Sequence, residues 1–270
     1  MLETETLSQY LLLAIKASLE AGKEILSVYE KDFSVEMKSD FSPLTEADKQ
    51  SHEIISAALT KTELPVLSEE GRNIPYEERK NWNYFWMVDP LDGTKEFVKK
   101  NGEFTTNIAL IHEQKSILGV IYIPVKNILY FACIGIGSFK CTSPSTEINS
   151  LEDLLKISEK LPLKNSSEKN SFRVLASRSH LSEATEKFIS ELRKKYSEIE
   201  FISSGSSIKF CLLAEGAASI YPRFAPTMEW DTAAGQTILE LSGKNITDCT
   251  TKNSMLYNKK ELLNNWFIAE

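Results

Sequence analysis

The chain has 270 residues, 38 acidic and 31 basic side chains and a net charge of −7. Its length suits one large domain or two small ones, and 42% hydrophobic with 26% charged residues excludes disorder, collagen-like structure and a membrane bundle. The acid excess argues against binding of nucleic-acid polymers, which need a basic stripe to displace counterions, but leaves small phosphate ligands open.

The N-terminus, MLETETLSQYLLLAIK, carries acids where a signal peptide has basic residues, and its apolar run from Tyr10 to Ile15 is far shorter than the roughly 20 residues that span a bilayer. The expected location is the cytoplasm, free or peripheral at the cytoplasmic face of the membrane. Leu7, Leu11, Leu12, Ile15, Leu19, Ile25 and Leu26 recur near helical spacing and predict an amphipathic helix over 5–30. A second helix is predicted over 44–60 from Ala47, Ile54, Ile55, Ala58 and Leu59, with Ser42-Pro43 as its start signal. Asp48 and His52 then lie four apart on one face.

Short β-rich runs follow at 65–68, 84–89, 105–111, 117–123 and 128–132, read as an antiparallel meander covered by the two helices. The polar stretch 142–171, with a short helix near 151–157, marks the expected boundary between an N-terminal α+β domain (1–143) and a C-terminal α/β domain (144–270). Strands at 172–176, 199–202 and 217–221 then alternate with helices at 183–196, 207–215 and 232–242, the mark of a layered α/β unit. Cys133, Cys141, Cys211 and Cys249 form no CxxC pair and have no His at zinc-ligand spacing, which fits a reducing compartment better than a zinc ribbon or a disulfide framework.

Three acidic segments end predicted strands or begin predicted helices: Leu67-Ser68-Glu69-Glu70-Gly71, Asp89-Pro90-Leu91-Asp92-Gly93-Thr94 and Trp230-Asp231-Thr232-Ala233-Ala234-Gly235. Alone, the first also fits a solvated turn and the third an N-cap. The second is harder to dismiss, because Asp89 and Asp92 return to one strand end beside a glycine that permits an unusual backbone angle. Two carboxylates about 4 Å apart repel by about 4 kcal/mol at an effective dielectric near 20, so they must share a proton or bind a cation. Oxygen ligands without Cys or His favour Mg²⁺ over zinc. Gly93-Thr94 and Thr232 to Gly235 are read as backbone N–H groups exposed at helix starts, hence as anion sites beside the metal. Walker-type and GxGxxG patterns are absent.

These two segments resemble the signatures of the inositol monophosphatase superfamily of Mg²⁺-dependent, lithium-sensitive phosphatases. The strings DPLDGTKEFVKKNGEFTTNIALI, SPLTEAD, VLSEEG, GSSIKFCLLAEGAASIYPRF and MEWDTAAGQ are similar to the bacterial 3′(2′),5′-bisphosphate nucleotidase branch, in order from about Leu7 to the C-terminus. The resemblance implies a layered α-β-α-β-α sandwich with the site between its two halves. It implies one metal held by Glu69, Asp89 and the Leu91 carbonyl, a second by Asp89, Asp92 and Asp231, and a third, weaker Mg²⁺ near Asp48 and Glu69 with Lys38 close by. Thr94, paired with Asp48, would position and deprotonate the attacking water, with Glu69 beside them, and the Gly93 and Thr94 N–H groups would hold the scissile phosphate. Ser206, Lys209 and Arg223 match positions for a second phosphate, and His180 one near the nucleoside; Glu70 is either a supporting carboxylate or a surface group.

Ala225-Pro226-Thr227 departs from the expected Gly-Pro-Thr, which touches the nucleoside end and none of the metal positions. The implied reaction is hydrolysis of the 3′-phosphate of adenosine 3′,5′-bisphosphate to AMP, with 3′-phosphoadenylyl sulfate as a further substrate and a link to sulfur assimilation. The alternatives are an inositol monophosphatase or sugar-bisphosphate phosphatase with the same metals, and, from another class, a non-catalytic nucleotide- or metal-binding module. Oligomeric state is not legible in the sequence.

Overall fold

The computed structural model describes residues 2–38, 43–164, 171–176 and 182–270; Ser42 of the expected helix start and the candidate His180 lie outside them. The first half of the chain forms α1 (Thr4–Tyr29), β1 (Val35–Met37), β2 (Pro43–Thr45), α2 (Glu46–Leu59), β3 (Val66–Ser68), α3 (Tyr76–Arg79), β4 (Tyr84–Asp92), α4 (Thr94–Val98), β5 (Thr105–His112), β6 (Lys115–Ile123), β7 (Ile128–Cys133) and β8 (Gly137–Thr142). Strands β3 to β8, closed by β9 (Glu159–Lys160), make a seven-stranded sheet in sequence order. The expected meander is antiparallel from β4 onward, but β3 runs parallel to β4.

Side chains alternate across this sheet, and both faces are buried, which is why its strands read as continuous apolar runs. Trp86, Val88, Ile108, Leu110, Leu118 and Val120 pack with Leu11, Ile15 and Ile55 of α1 and α2. Phe85, Met87, Ala109, Ile111 and Ile121 face the other way, onto α7 (Ile208–Ala214) and α8 (Glu229–Glu240). The remaining elements are α5 (Leu151–Lys156), β10 (Phe172–Ala176), α6 (Glu183–Lys195), β11 (Ile199–Ser203), β12 (Tyr221–Arg223), β13 (Ile246–Asp248) and β14 (Phe267–Ala269). Here β10 pairs parallel with β11, a Val174–Ile220 bridge links it toward β12, and β12-β14-β13 continue antiparallel. Helix α6 closes the outer face through Phe188 and Leu192 against Val174 and Ile220. The layers are therefore helix, sheet, helix, sheet, helix.

Three local expectations are corrected. Pro43–Thr45 is a strand paired with Val35–Met37, so α2 begins at Glu46, where Asp48 accepts the Thr45 N–H. Helix α8 begins at Glu229, a turn before the expected Thr232, because Asp231 sits at the third helical position and its side chain accepts the Met228 N–H. The expected strand 217–221 is Tyr221–Arg223, preceded by the bridge at Ile220.

Helix α8 lies directly on β6 because position 119 carries no side chain: a Cβ there would stand 2.3 Å from the Ala234 carbonyl oxygen. Gly119→Ala must therefore push α8 off the sheet. The expected loss is at least about 1–3 kcal/mol of unfolding free energy by chemical denaturation, and an unchanged midpoint would contradict this contact.

Candidate active site

Parallel pairing of β3 with β4 sets Ser68 opposite Val88, so both strands deliver their next residue to one edge. The Glu69 N–H donates to the Val88 carbonyl at 3.1 Å, which places Glu69 beside Asp89. Strand β4 then changes register between Asp89 and Asp92, and Gly93, at φ +93°, turns the chain into α4 with Thr94 at its first position. Asp231 arrives from α8 in the other half of the chain. Glu69, Asp89 and Asp231 each bring a carboxylate oxygen within 4.8 Å of the other two.

Each aspartate of the site spends at least one oxygen on the protein. Asp89 Oδ1 accepts the Leu91 N–H at 3.1 Å, and Asp231 Oδ2 the Met228 N–H at 2.8 Å. Asp92 Oδ2 accepts from Ser206 Oγ at 2.7 Å, the Ser207 N–H at 2.6 Å and Asn107 Nδ2 at 3.3 Å. Asp48 Oδ2 takes both the N–H and the hydroxyl of Thr45, while its Oδ1 accepts from the Thr94 hydroxyl at 3.0 Å. For Asp89, Asp92 and Asp231 the second oxygen accepts no hydrogen bond from the described residues.

Asp89 is 2% and Asp48 1% exposed. Burial raises the Asp89 pKa well above the usual carboxylate range, and repulsion from Glu69, Asp92 and Asp231 adds to it. Asp231 is raised likewise, by burial and then by Asp92. Burial also raises Glu69 and Asp48, the latter against the hydrogen bonds from Thr45. Burial works against the Lys38 ammonium too, yet Glu69 and Glu70 hold its pKa above the ordinary range. Lys38 donates to Glu69 at 2.8 Å and also to Glu70, so Glu70 belongs to the acidic cluster through that shared cation. An all-oxygen, carboxylate-rich cluster without Cys or His fits a hard divalent cation, which relieves a repulsion of about 3–4 kcal/mol per close pair.

Two cavities meet at Asp92, Gly93 and Asp231. One, of about 540 Å³, contains Glu69, Asp89, Leu91 and Thr94 and is rimmed by Pro43, Pro226 and Leu263. The other, of about 480 Å³, contains Ser206, Lys209, Tyr221 and Arg223, with the exposed Lys95 and Lys99 on its border. Lys209 is 6% exposed; its ammonium donates to the carbonyls of Ser204 (3.1 Å) and Ser206 (2.7 Å) and lies over the Tyr221 ring. Burial lowers its pKa to about 8, with Asp92 pulling the other way. Arg223 donates from Nη2 to the Pro226 carbonyl, and its buried Nε has no partner among the described residues.

Some expected groups do not join the site. Thr232 to Gly235 lie inside α8 with no free helix-start N–H groups, and Gly235 serves close packing, since a Cβ there would stand 2.5 Å from Phe210. His52 leaves Asp48 and pairs with Ser68 Oγ at 2.8 Å in a separate groove with Arg72 and Trp82. Conversely, Thr45, Thr105, Asn107 and Ser207 support the aspartates without any sequence signal beyond polar residues in otherwise apolar strands or at a helix start.

The sequence pattern of the inositol monophosphatase family matches residues 6–270. The chain is 42% identical over 232 residues to the 3′(2′),5′-bisphosphate nucleotidase CysQ of Shigella flexneri, covering 84% of this chain and 86% of that protein. The crystal structure of CysQ from Bacteroides thetaiotaomicron, titled a bacterial member of the inositol monophosphatase family, superposes with a TM-score of 0.90 at 49% identity over 97% of both chains. The extragenic suppressor protein suhB of Bartonella henselae shares the fold, at a TM-score of 0.74 and 23% identity over 97% of this chain and 93% of that one.

The raised carboxyl pKa values fix the sign of a pH effect. A buried acid whose folded pKa exceeds its unfolded value of about 4 stabilises the fold at lower pH and loses that contribution as pH rises toward the folded value. A cation must displace the same protons, so it binds better as pH rises. Mg²⁺ added to metal-free protein is expected to raise the thermal midpoint, and to raise it more at about pH 8 than at about pH 6; an equal or smaller shift at the higher pH would contradict the proton-linked site.

Proposed function

The chain belongs to the inositol monophosphatase family, and from that premise we propose that this phosphatase is a 3′(2′),5′-bisphosphate nucleotidase. In this reading it removes the 3′-phosphate of adenosine 3′,5′-bisphosphate, giving AMP and phosphate, and acts also on 3′-phosphoadenylyl sulfate. It works in the cytoplasm, clearing a by-product of sulfur assimilation, and is inhibited by Li⁺. No helix among the described residues is long and apolar enough to cross a membrane.

The observation that carries the reading is the junction of two unlike cavities, one lined by the carboxylates of Glu69, Asp89, Asp92 and Asp231 and the other carrying the buried Lys209 and the part-buried Arg223 as well as acidic side chains. A monophosphate needs only the first. A bisphosphate needs both, with its reacting phosphate among the carboxylates and the other beside Lys209 and Arg223. Arg223, whose buried Nε has no partner among the described residues, would supply its guanidinium to that second phosphate. Ser206 borders the same phosphate position, and Thr227 and Arg223 line the wall between it and Asp231.

Glu69, Asp89 and the Leu91 carbonyl would hold one Mg²⁺, and Asp89, Asp92 and Asp231 a second, while the third, weaker place near Asp48 and Glu69 adjoins the Lys38 ammonium. Bound Mg²⁺ neutralises phosphoryl charge and lowers the pKa of a coordinated water. The chain's own part is positioning and proton transfer. The Thr94 hydroxyl, whose proton points at Asp48 Oδ1 and at the Leu91 carbonyl (3.3 Å), offers its lone pairs outward to orient a water. Burial raises the Asp48 pKa, which makes it the stronger base for a proton relayed through Thr94. In this reading the backbone N–H groups of Gly93 and Thr94, where the chain turns into α4, would hold the scissile phosphate.

A phosphate-release panel over adenosine 3′,5′-bisphosphate, inositol monophosphate and fructose bisphosphate, with Mg²⁺ and with Li⁺ added, tests the reading. The nucleotide is expected to be preferred, and Arg223→Ala to raise its KM about 10- to 100-fold, the cost of one lost charged hydrogen bond, while sparing inositol monophosphate. Preference for inositol monophosphate, or equal effects of Arg223→Ala on both substrates, would contradict it.

A further inference from the structure

We propose that Asn107 is a positioning residue for the carboxylate of Asp92, and that the Ser206-Ser207 turn serves the same carboxylate. The inference rests on the metal reading above. Asn107 lies on β5, 1% exposed, paired in the sheet with Asp89 rather than with Asp92. The register shift of β4 between these two aspartates brings Asp92 Oδ2 within 3.3 Å of the Asn107 amide nitrogen.

The amide cannot turn round. Its Oδ1 accepts from the Ser207 hydroxyl at 2.7 Å and from the Thr105 hydroxyl at 2.9 Å. Reversal would set an amide oxygen against the Asp92 carboxylate, so the two hydroxyl donors aim Nδ2 at Asp92. From the other side, Ser206 adopts φ +52°, a left-handed conformation that a non-glycine residue keeps only when its surroundings enforce it. That conformation points the Ser206 hydroxyl and the next N–H at one oxygen, Asp92 Oδ2. With three donors on Oδ2, the carboxylate is held at a fixed angle and Oδ1 is left to coordinate.

The Thr105 hydroxyl lies 2.7 Å from the Ser206 hydroxyl and 2.8 Å from the Ser207 hydroxyl, so these three hydroxyls, Asn107 and Asp92 form one hydrogen-bonded network. Lys209 takes part indirectly, since its ammonium ties down the Ser204 and Ser206 carbonyls that shape the turn. Removing an outer hydrogen-bond partner of a metal-binding carboxylate weakens metal binding about 10- to 100-fold.

The test is Mg²⁺ titration calorimetry on the metal-free full chain, without substrate. Asn107→Leu and Ser206→Ala are expected to raise the Mg²⁺ dissociation constant about 10- to 100-fold. Ser138→Ala removes a buried hydrogen bond to the Ile238 carbonyl, away from the site, and is expected to leave Mg²⁺ affinity alone. Ser206 is part-exposed, and Ser206→Ala is expected to keep a near-normal thermal midpoint, so it carries the test if Asn107→Leu fails to fold. Unchanged Mg²⁺ affinity in a folded variant, or an equal loss in Ser138→Ala, overturns the positioning role. Absence of Mg²⁺ binding by the unaltered chain would instead overturn the metal reading on which it stands.

Discussion

Carboxylates that repel one another are held together in this molecule in a buried place, and much of the architecture serves that arrangement. Glu69, Asp89 and Asp231 come from the ends of two parallel strands and the first turn of a distant helix, yet their oxygens lie within 4.8 Å. In the absence of a cation, burial and mutual repulsion push their pKa values up, and Lys38 offsets part of the charge. What prevents the side chains from swinging apart is the division of labour within each aspartate. One oxygen is anchored by backbone or side-chain donors, and in Asp89, Asp92 and Asp231 the other accepts no hydrogen bond from the described residues. A site built this way could bind a cation without first ordering its ligands.

The sheet supplies the precision. Parallel pairing of β3 and β4 aligns Glu69 with Asp89, and the close approach of α8 to β6 at Gly119 brings Asp231 over the same edge. Asp48 and Asp231 repeat one device: each is the third residue of its helix, caps the N–H of the residue before that helix, and turns its remaining oxygen to the site. Two carboxylates of the candidate site are therefore also helix-capping groups, and removing either side chain is expected to weaken a helix start by about 1 kcal/mol.

The helices and the central strands were legible in the sequence because the apolar spacing of residues such as Leu11, Ile15 and Ile55, and the unbroken runs at 84–89 and 105–111, reflect burial on one face or on both. The acidic segments were legible because Asp89 to Thr94 packs two acids, a glycine and a threonine into six positions. The start of α8 was not, since its N-cap, Met228, is not a capping residue type and Asp231 imitates an N-cap from three positions inside. Short strands such as Pro43–Thr45 and Glu159–Lys160 carry no periodicity to read. Asn107 and Thr105 were hidden for a different reason: in a strand they pass for ordinary polar alternation, and only the register shift of β4 brings Asp92 to them.

The junction of a carboxylate-lined cavity with one that also carries Lys209 and Arg223 gives the molecule its chemical character, since charged groups of both signs line adjoining cavities. Asp89 is common to both proposed metal positions, so the account depends on its charge more than on that of any other residue. Phosphate release from adenosine 3′,5′-bisphosphate by Asp89→Asn in saturating Mg²⁺ is the most direct measurement. A fall of about a thousandfold or more in turnover, with the folded state intact, is the predicted result. Turnover near that of the unaltered chain would contradict the metal-centred account.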